Sequence, residues 1–134
     1  MTEVAFIVPG GPVPFARAGS NGKRRFTPPK QAGFMTLVKH CASLAIGTRP
    51  LLDGPLELSV VAQYQWPKSM SAKKRAFPGA EWKSSVPDWD NLGKIISDSL
   101  NGIVWTDDAR VAAGHVWKKY GDRSEVRIRV RVLS

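Results

Sequence analysis

Acidic residues are scarce in this chain: 11 Asp and Glu stand against 20 Lys and Arg, leaving a formal charge of +9. Cysteine is scarcer still. Cys41 stands alone, so no intrachain disulfide can form, as suits a reducing compartment. It reads as a small buried hydrophobe rather than a nucleophile. The two histidines, His40 and His115, show no zinc-ligand spacing with Cys41 and read as structural or exposed. Long apolar runs are absent, so no membrane span is expected. Residues 4–8 are too short for a signal-peptide core, and Glu3 stands where its basic segment would lie. Gly22-Lys23 is followed by Arg24 rather than Ser or Thr, which argues against a phosphate-binding loop and a nucleotide cofactor. A cytoplasmic location is the expectation.

What the chain does have is a hydrophobic fraction of 43% over 134 residues, enough for a real core. Residues 1–134 are read as a single domain. The positive charge is concentrated. Residues 9–28 hold Arg17, Lys23, Arg24 and Arg25, and residues 67–87 hold Lys68, Lys73, Lys74, Arg75 and Lys83 against Glu81 alone. Both segments are rich in Pro, Gly or Ser. Long irregular basic segments suit a phosphate backbone, so these nine residues are the candidate DNA contacts.

Periodicity predicts the elements. Residues 3–8 form an apolar strand that ends at Pro9-Gly10. A helix starts at Pro28-Pro29, carries a buried stripe of Phe34, Leu37, Val38, Cys41, Leu44 and Ala45, and stops at Gly47. Residues 56–66 alternate: Leu56, Leu58, Val60, Ala62, Tyr64 and Trp66 face inward, and Glu57, Ser59, Gln63 and Gln65 face outward with Val61 as the exception. A short basic helical turn is expected over 70–77. The next helix runs from about 89 to 101, buries Leu92, Ile95, Ile96, Ser99 and Leu100, and stops at Asn101-Gly102. Strands near 110–119 and 125–133, linked through residues 120–123, complete the order β-α-β-α-β-β. The fold class is α/β or α+β, a mixed sheet with helices packed on it.

Five of the 11 acidic residues fall between 88 and 108: Asp88, Asp90, Asp98, Asp107 and Asp108. Two unit charges ~4 Å apart repel by about 1 kcal/mol in water and about 4 at an effective dielectric of ~20. A fold that gathers carboxylates therefore usually holds a cation among them. Helix capping accounts for Asp88 or Asp90 singly, and a polar turn accounts for Asp107 and Asp108. A calcium loop fails, because its fifth and twelfth positions would be Leu92 and Ser99. Mg²⁺, with Mn²⁺ as an alternative, suits a few Asp ligands and retained water. Lys94, one turn after Asp90, either stabilises charge at a phosphorus centre or pairs with Asp90 or Asp98 along the helix. A helix of about 12 residues is roughly 18 Å long, so the two acidic stretches meet only if the chain turns back after Gly102. A carboxylate nest in a basic molecule points to metal-assisted work on nucleic acid. The competing readings are a non-catalytic DNA- or RNA-binding protein and a metal-dependent nuclease for flaps or other branched DNA.

The string Pro87-Asp88-Trp89-Asp90-Asn91-Leu92-Gly93-Lys94, then Asp98-Ser99-Leu100-Asn101-Gly102, then Trp105-Thr106-Asp107-Asp108-Ala109-Arg110-Val111 resembles the signature of the RusA-type Holliday-junction resolvases. The resemblance is dense over residues 87–111 and looser upstream. It implies a small homodimeric, Mg²⁺-dependent endonuclease of α/β fold, typical of phage or prophage, that nicks four-way DNA junctions in pairs. It assigns the metal-binding carboxylates to Asp88, Asp90 and Asp108, with Asp107 in support, and the essential lysine to Lys94. Asn91 is expected to position the Asp90 region. Val86 and Pro87 stand where many members carry a basic residue, and Ser99 replaces the usual Ala. Trp89 is read as core packing, and Trp82 as the best candidate to meet an unstacked base.

Overall fold

The computed structural model describes residues 2–11, 19–20, 25–26 and 29–134. In chain order it contains β1 (Glu3–Pro9), β2 (Gly19–Ser20), β3 (Arg25–Phe26), α1 (Pro29–Ile46), β4 (Leu56–Gln65), α2 (Ala72–Arg75), α3 (Trp89–Leu100), a 3-10 turn (Asp108–Arg110), β5 (Val111–Gly121) and β6 (Glu125–Val132). The mixed sheet with helices packed on it is there as expected, and β2 and β3 add a ribbon of two residues per strand.

The main sheet runs β1-β6-β4-β5. β6 lies antiparallel to both β1 and β4, whereas β4 and β5 are parallel. A parallel pair cannot be closed by a tight turn, and the long connection from 66 to 110 supplies the crossover and carries α3. The last two strands, although linked by three residues, are not neighbours, because β4 lies between them. Their link crosses the end of β4, where the Gln63 amide donates to the Arg123 carbonyl at 2.8 Å. At Gly121 a Cβ would stand 2.4 Å from the Gln63 carboxamide, so any larger residue would have to displace that side chain.

One face of the sheet holds the core. Val4 and Val8 of β1, Leu56, Leu58 and Val60 of β4, and Val126, Ile128 and Val130 of β6 pack with Phe34, Val38, Ala42 and Ile46 of α1 and Ile95, Ile96 and Leu100 of α3. Three expectations need correction. Leu44 is 71% exposed, because the contact ridge of α1 runs 34-38-42-46 and Leu44 sits roughly 200° round from Ala42. Gln63, read as outward and polar, is buried beneath the β5–β6 link. Trp89, read as core, is 61% exposed, because the apolar face of α3 starts only at Leu92.

Local chemistry sets the helix ends. Gly47 takes a φ of +60° after α1, and Arg49 donates to the carbonyls of Ile46 and Ala45 and on to Glu3 of β1, tying the helix end to the sheet. Cys41 is partly buried against the core. Among the described residues no helix is long and apolar enough to cross a membrane.

Candidate active site

α3 sorts its side chains by period. Leu92, Ile95, Ile96, Ser99 and Leu100 are buried, and Asp90, Lys94 and Asp98 follow one another at four-residue steps along another side. Gly93 lets the helix lie close to β5, where an added Cβ would meet Val116 Cγ2 at 3.3 Å. After Leu100 the chain reverses at once. Gly102 takes a φ of +79°, its N–H donates to the Trp105 carbonyl at 2.7 Å, and Trp105 Nε1 donates to Asn101 Oδ1 at 2.6 Å. The Trp105 ring is fully buried, which anchors the turn and sends residues 106–110 back along the helix. Arg110 steadies this return through Thr106 Oγ1 at 2.9 Å and Asp53 Oδ1 at 2.8 Å.

The reversal brings two distant stretches to one place. A cavity of about 390 Å³ between α3, the 3-10 turn and β5 is lined by Asp90, Lys94, Asp98 and Asp108, with Trp89 and His115 among its walls. The Lys94 ammonium lies 3.7 Å from the Asp98 carboxylate. Asp90 Oδ1 accepts from the Asn91 N–H at 3.0 Å. Asp88 is the N-cap residue of α3, but its carboxylate makes no capping hydrogen bond. Asp107 caps the 3-10 turn by accepting from Ala109 N–H at 3.2 Å. Neither Asp88 nor Asp107 lines the cavity. Among the described residues no three His, Cys, Asp or Glu side chains form a cluster that could hold a metal ion. What the fold brings to one cavity is Asp90 and Asp108 from the two stretches, together with an Asp98–Lys94 ion pair. Mg²⁺ is usually held by one or two carboxylates and completes its shell with water and substrate phosphate. The carboxylate oxygens that line this cavity are the donor type such a hard ion takes, and they do not match the nitrogen and sulfur ligands of a zinc site.

The approach to Asp88 is pinned from the sheet. Residues 81–83 run along the outer edge of β5, with Tyr120 N–H donating to the Glu81 carbonyl at 2.7 Å and Lys83 N–H to the Lys118 carbonyl at 3.0 Å. The Lys118 ammonium then donates to the carbonyls of Ser85 and Pro87, each at 2.8 Å. Lys118 was not singled out from sequence: it stands 31 residues from Pro87, and no local pattern connects them. His115 was noted only as structural or exposed; it borders the cavity, contacts Glu57 Oε2 at 3.2 Å and stacks on Trp117.

The basic segments divide by what their side chains do. Arg17, Lys23 and Arg24 lie outside the described residues, and Arg25 is described only as backbone of β3. Arg75 is committed to the fold, donating to the carbonyls of Met70 and Pro67 and lying 5.5 Å from the Trp66 ring centre. Lys83 donates to Ser85 Oγ and lies over the Tyr64 and Tyr120 rings. Lys68, Lys73 and Lys74 are exposed. Trp82 is 54% exposed within this positive surface.

Residues 9–131 match the family model of endodeoxyribonuclease RusA. The chain belongs to the RusA family. The RusA match takes in both carboxylate stretches and both basic segments. The chain is also 31% identical over 143 aligned positions to the uncharacterized protein YqaN of Bacillus subtilis (strain 168), an alignment that spans all of this chain and 99% of that protein. The RusA match spans every residue that lines the cavity beside α3.

Proposed function

We propose that this protein is a Mg²⁺-dependent endodeoxyribonuclease that resolves four-way DNA junctions by paired nicks in recombination and repair, with Mn²⁺ able to replace Mg²⁺. The observation that supports the reading is the meeting of Asp90 and Asp108, drawn from two stretches, on one cavity beside Lys94. Asp90 and Asp108 would hold the ion, with Asp88 close by in sequence and without a capping duty. Held by those residues, a divalent ion would supply Lewis-acid chemistry, activating water and offsetting charge on the leaving oxygen. Lys94 presents its ammonium at the cavity, where it offsets negative charge that builds on the phosphorus oxygens. Asn91 and the first turn of α3 hold Asp90 in place. The exposed lysines 68, 73 and 74 would follow the phosphate backbone. Two strands of a junction must be cut, and a two-fold dimer supplies two sites related by symmetry.

The test uses labelled four-way junction, linear duplex and flap DNA, each with and without Mg²⁺. Symmetric nicking of the junction alone, and only with metal, is the expected result. Asp90→Asn is expected to reduce the cleavage rate by roughly two to three orders of magnitude, the size typical of losing one charge-stabilising group, while binding is retained or tightened. Binding without cleavage under every metal condition would instead establish a non-catalytic DNA-binding protein. Cleavage by Asp90→Asn at the wild-type rate would remove the assigned site.

A further inference from the structure

Five tryptophans stand in the chain, and contacts within the fold account for three of them. Trp105 is buried and donates to Asn101. Trp66 stacks on Tyr120, and Trp117 on His115. Trp82 and Trp89 are 54% and 61% exposed, and among the described residues neither stacks on another ring. Single exposed apolar side chains are ordinary on a protein surface. Position is what sets Trp89 apart. Trp82 lies at the outer edge of β5, opposite Lys119, whereas Trp89 is a wall of the cavity that holds Asp90, Lys94, Asp98 and Asp108.

Helix geometry puts the indole beside the carboxylates. Trp89, Gly93 and Ser97 follow at four-residue steps, and Asp90, Lys94 and Asp98 form the next row round α3; both rows line the cavity. The backbone that carries Trp89 is held on each side. The Pro87 carbonyl, two residues before it, accepts from the Lys118 ammonium at 2.8 Å, and α3 begins at Trp89 itself. Its neighbours decide what the ring can receive. Asp88 and Asp90 flank it, so a phosphate pressed against the indole meets two carboxylates and is repelled. A nucleobase presents a neutral π-face instead, and every base has one. In an intact duplex those faces are covered by their neighbours in the stack. An indole reaches a base only where a strand is unpaired or the stack is broken, as at the centre of a branched DNA.

We propose that Trp89 is the stacking platform for an unstacked nucleobase next to the phosphate at this cavity, and that it thereby favours branched over linear DNA. The inference rests on the reading of the cavity as the place where a DNA strand is cut, and it adds how that strand is seated. A base on the indole sets the register of the strand and brings the adjoining phosphate to Asp90 and Asp108, one residue and one turn of chain away from the ring. The role that the sequence suggests for Trp82 passes to Trp89, because only Trp89 lines the cavity.

Fluorescence anisotropy of the full chain on a labelled four-way junction provides the test, in Ca²⁺, which takes oxygen donors as Mg²⁺ does. Single abasic sites are placed at each nucleotide in turn, from the crossover outward. The wild type is expected to lose about 5- to 150-fold in affinity at one position, the range that follows when a base and an aromatic side chain no longer stack. Trp89→Ala is expected to lose as much on the intact junction and to be indifferent to that abasic site, so that the two losses do not add. Trp89→Phe is expected to keep most of the wild-type affinity. Affinity for linear duplex is expected to stay within about twofold in both variants, as for a surface change away from the contact. Circular dichroism checks folding, and Ala is a good helix former at this exposed position. The proposal is overturned if no abasic site matters, if Trp89→Ala still responds to it as the wild type does, or if the response vanishes in Trp82→Ala instead. Equal losses on junction and linear duplex in Trp89→Ala would overturn it too. Junctions still nicked in Mg²⁺ under any of those outcomes would leave the nuclease reading intact. Coupling between Trp89 and one base, in a protein that cuts no DNA, would keep the stacking site and defeat only the nuclease reading.

Discussion

Tyr64 illustrates how one buried atom colours a protein. Its hydroxyl is buried without a hydrogen-bond partner among the described residues, and burial pushes its phenol up to about 12 from 10.0. An unsatisfied buried hydroxyl costs about 1–3 kcal/mol. Tyr64→Phe is therefore expected to raise stability by about 1 kcal/mol at neutral pH, read from the urea midpoint. The sign of the pH effect follows from the raised value. The native phenol keeps its proton where the unfolded one has lost it, so the Tyr64 contribution is intact below pH 10.0 and is lost as pH rises towards about 12. Tyr64→Phe is expected to flatten that alkaline limb. Trp89 makes the opposite point. Its type suggested a core position, yet it stands exposed at the mouth of the carboxylate cavity, because side-chain type does not report which side of a helix faces the sheet.

Helices and strands were largely legible because their signals are local. The stripe Leu92-Ile95-Ile96-Ser99-Leu100 is buried as periodicity required, and Gly47 and Gly102 take the positive φ that ends a helix. The inward positions Leu56, Leu58, Val60 and Ala62 of β4 are all buried. Pairing was not legible: nothing in β5 or β6 announces that β4 will come between them, and Gln63 looked polar and outward until the link above it was placed. The anchoring of 85–87 to β5 belongs to the same class. Lys118 donates to two carbonyls there, which sets the path into Asp88 and α3. Lys118→Met is expected to lower the cleavage rate more than it weakens DNA binding, with a higher Mg²⁺ requirement, and Lys118→Arg is expected to recover part of the loss. Equal loss of binding and rate, with no change in metal requirement, would reduce Lys118 to a general structural role.

Across the complete fold, charge is divided between a neutralised sheet face and an exposed basic arm. Glu125 is held below the ordinary carboxylate range chiefly by its hydrogen bond from Arg127, then by that from Arg123. Glu57 is lowered chiefly by Arg131, against a smaller opposing effect of burial. Because both folded values lie below the ordinary 4.5, their stabilisation is present above that pH and is lost as pH falls through the folded values. Glu125→Gln is expected to lower stability at neutral pH and to flatten the fall below 4.5, as followed by denaturant midpoints over pH. The arm predicts a different dependence. Replacing Lys73 and Lys74 together by Ala is expected to weaken junction binding at low salt and to reduce the slope of log affinity against log salt by about 2, roughly one per phosphate contact removed. An unchanged slope would place the DNA elsewhere.

The amino-acid order was enough to set the helix and strand periods, the turn positions, the imbalance of charge and the signature of the family, since each depends on residues within a few positions of one another. The folded arrangement decided the rest. It put Asp108 on the cavity that Asp90 lines, through the turn locked by buried Trp105, kept Asp88 and Asp107 off that cavity, and paired Arg129 and Arg131 with glutamates on neighbouring strands. Those outcomes rest on contacts between segments many residues apart, whose closure is selected by the packing of the whole core and leaves no trace in any local pattern.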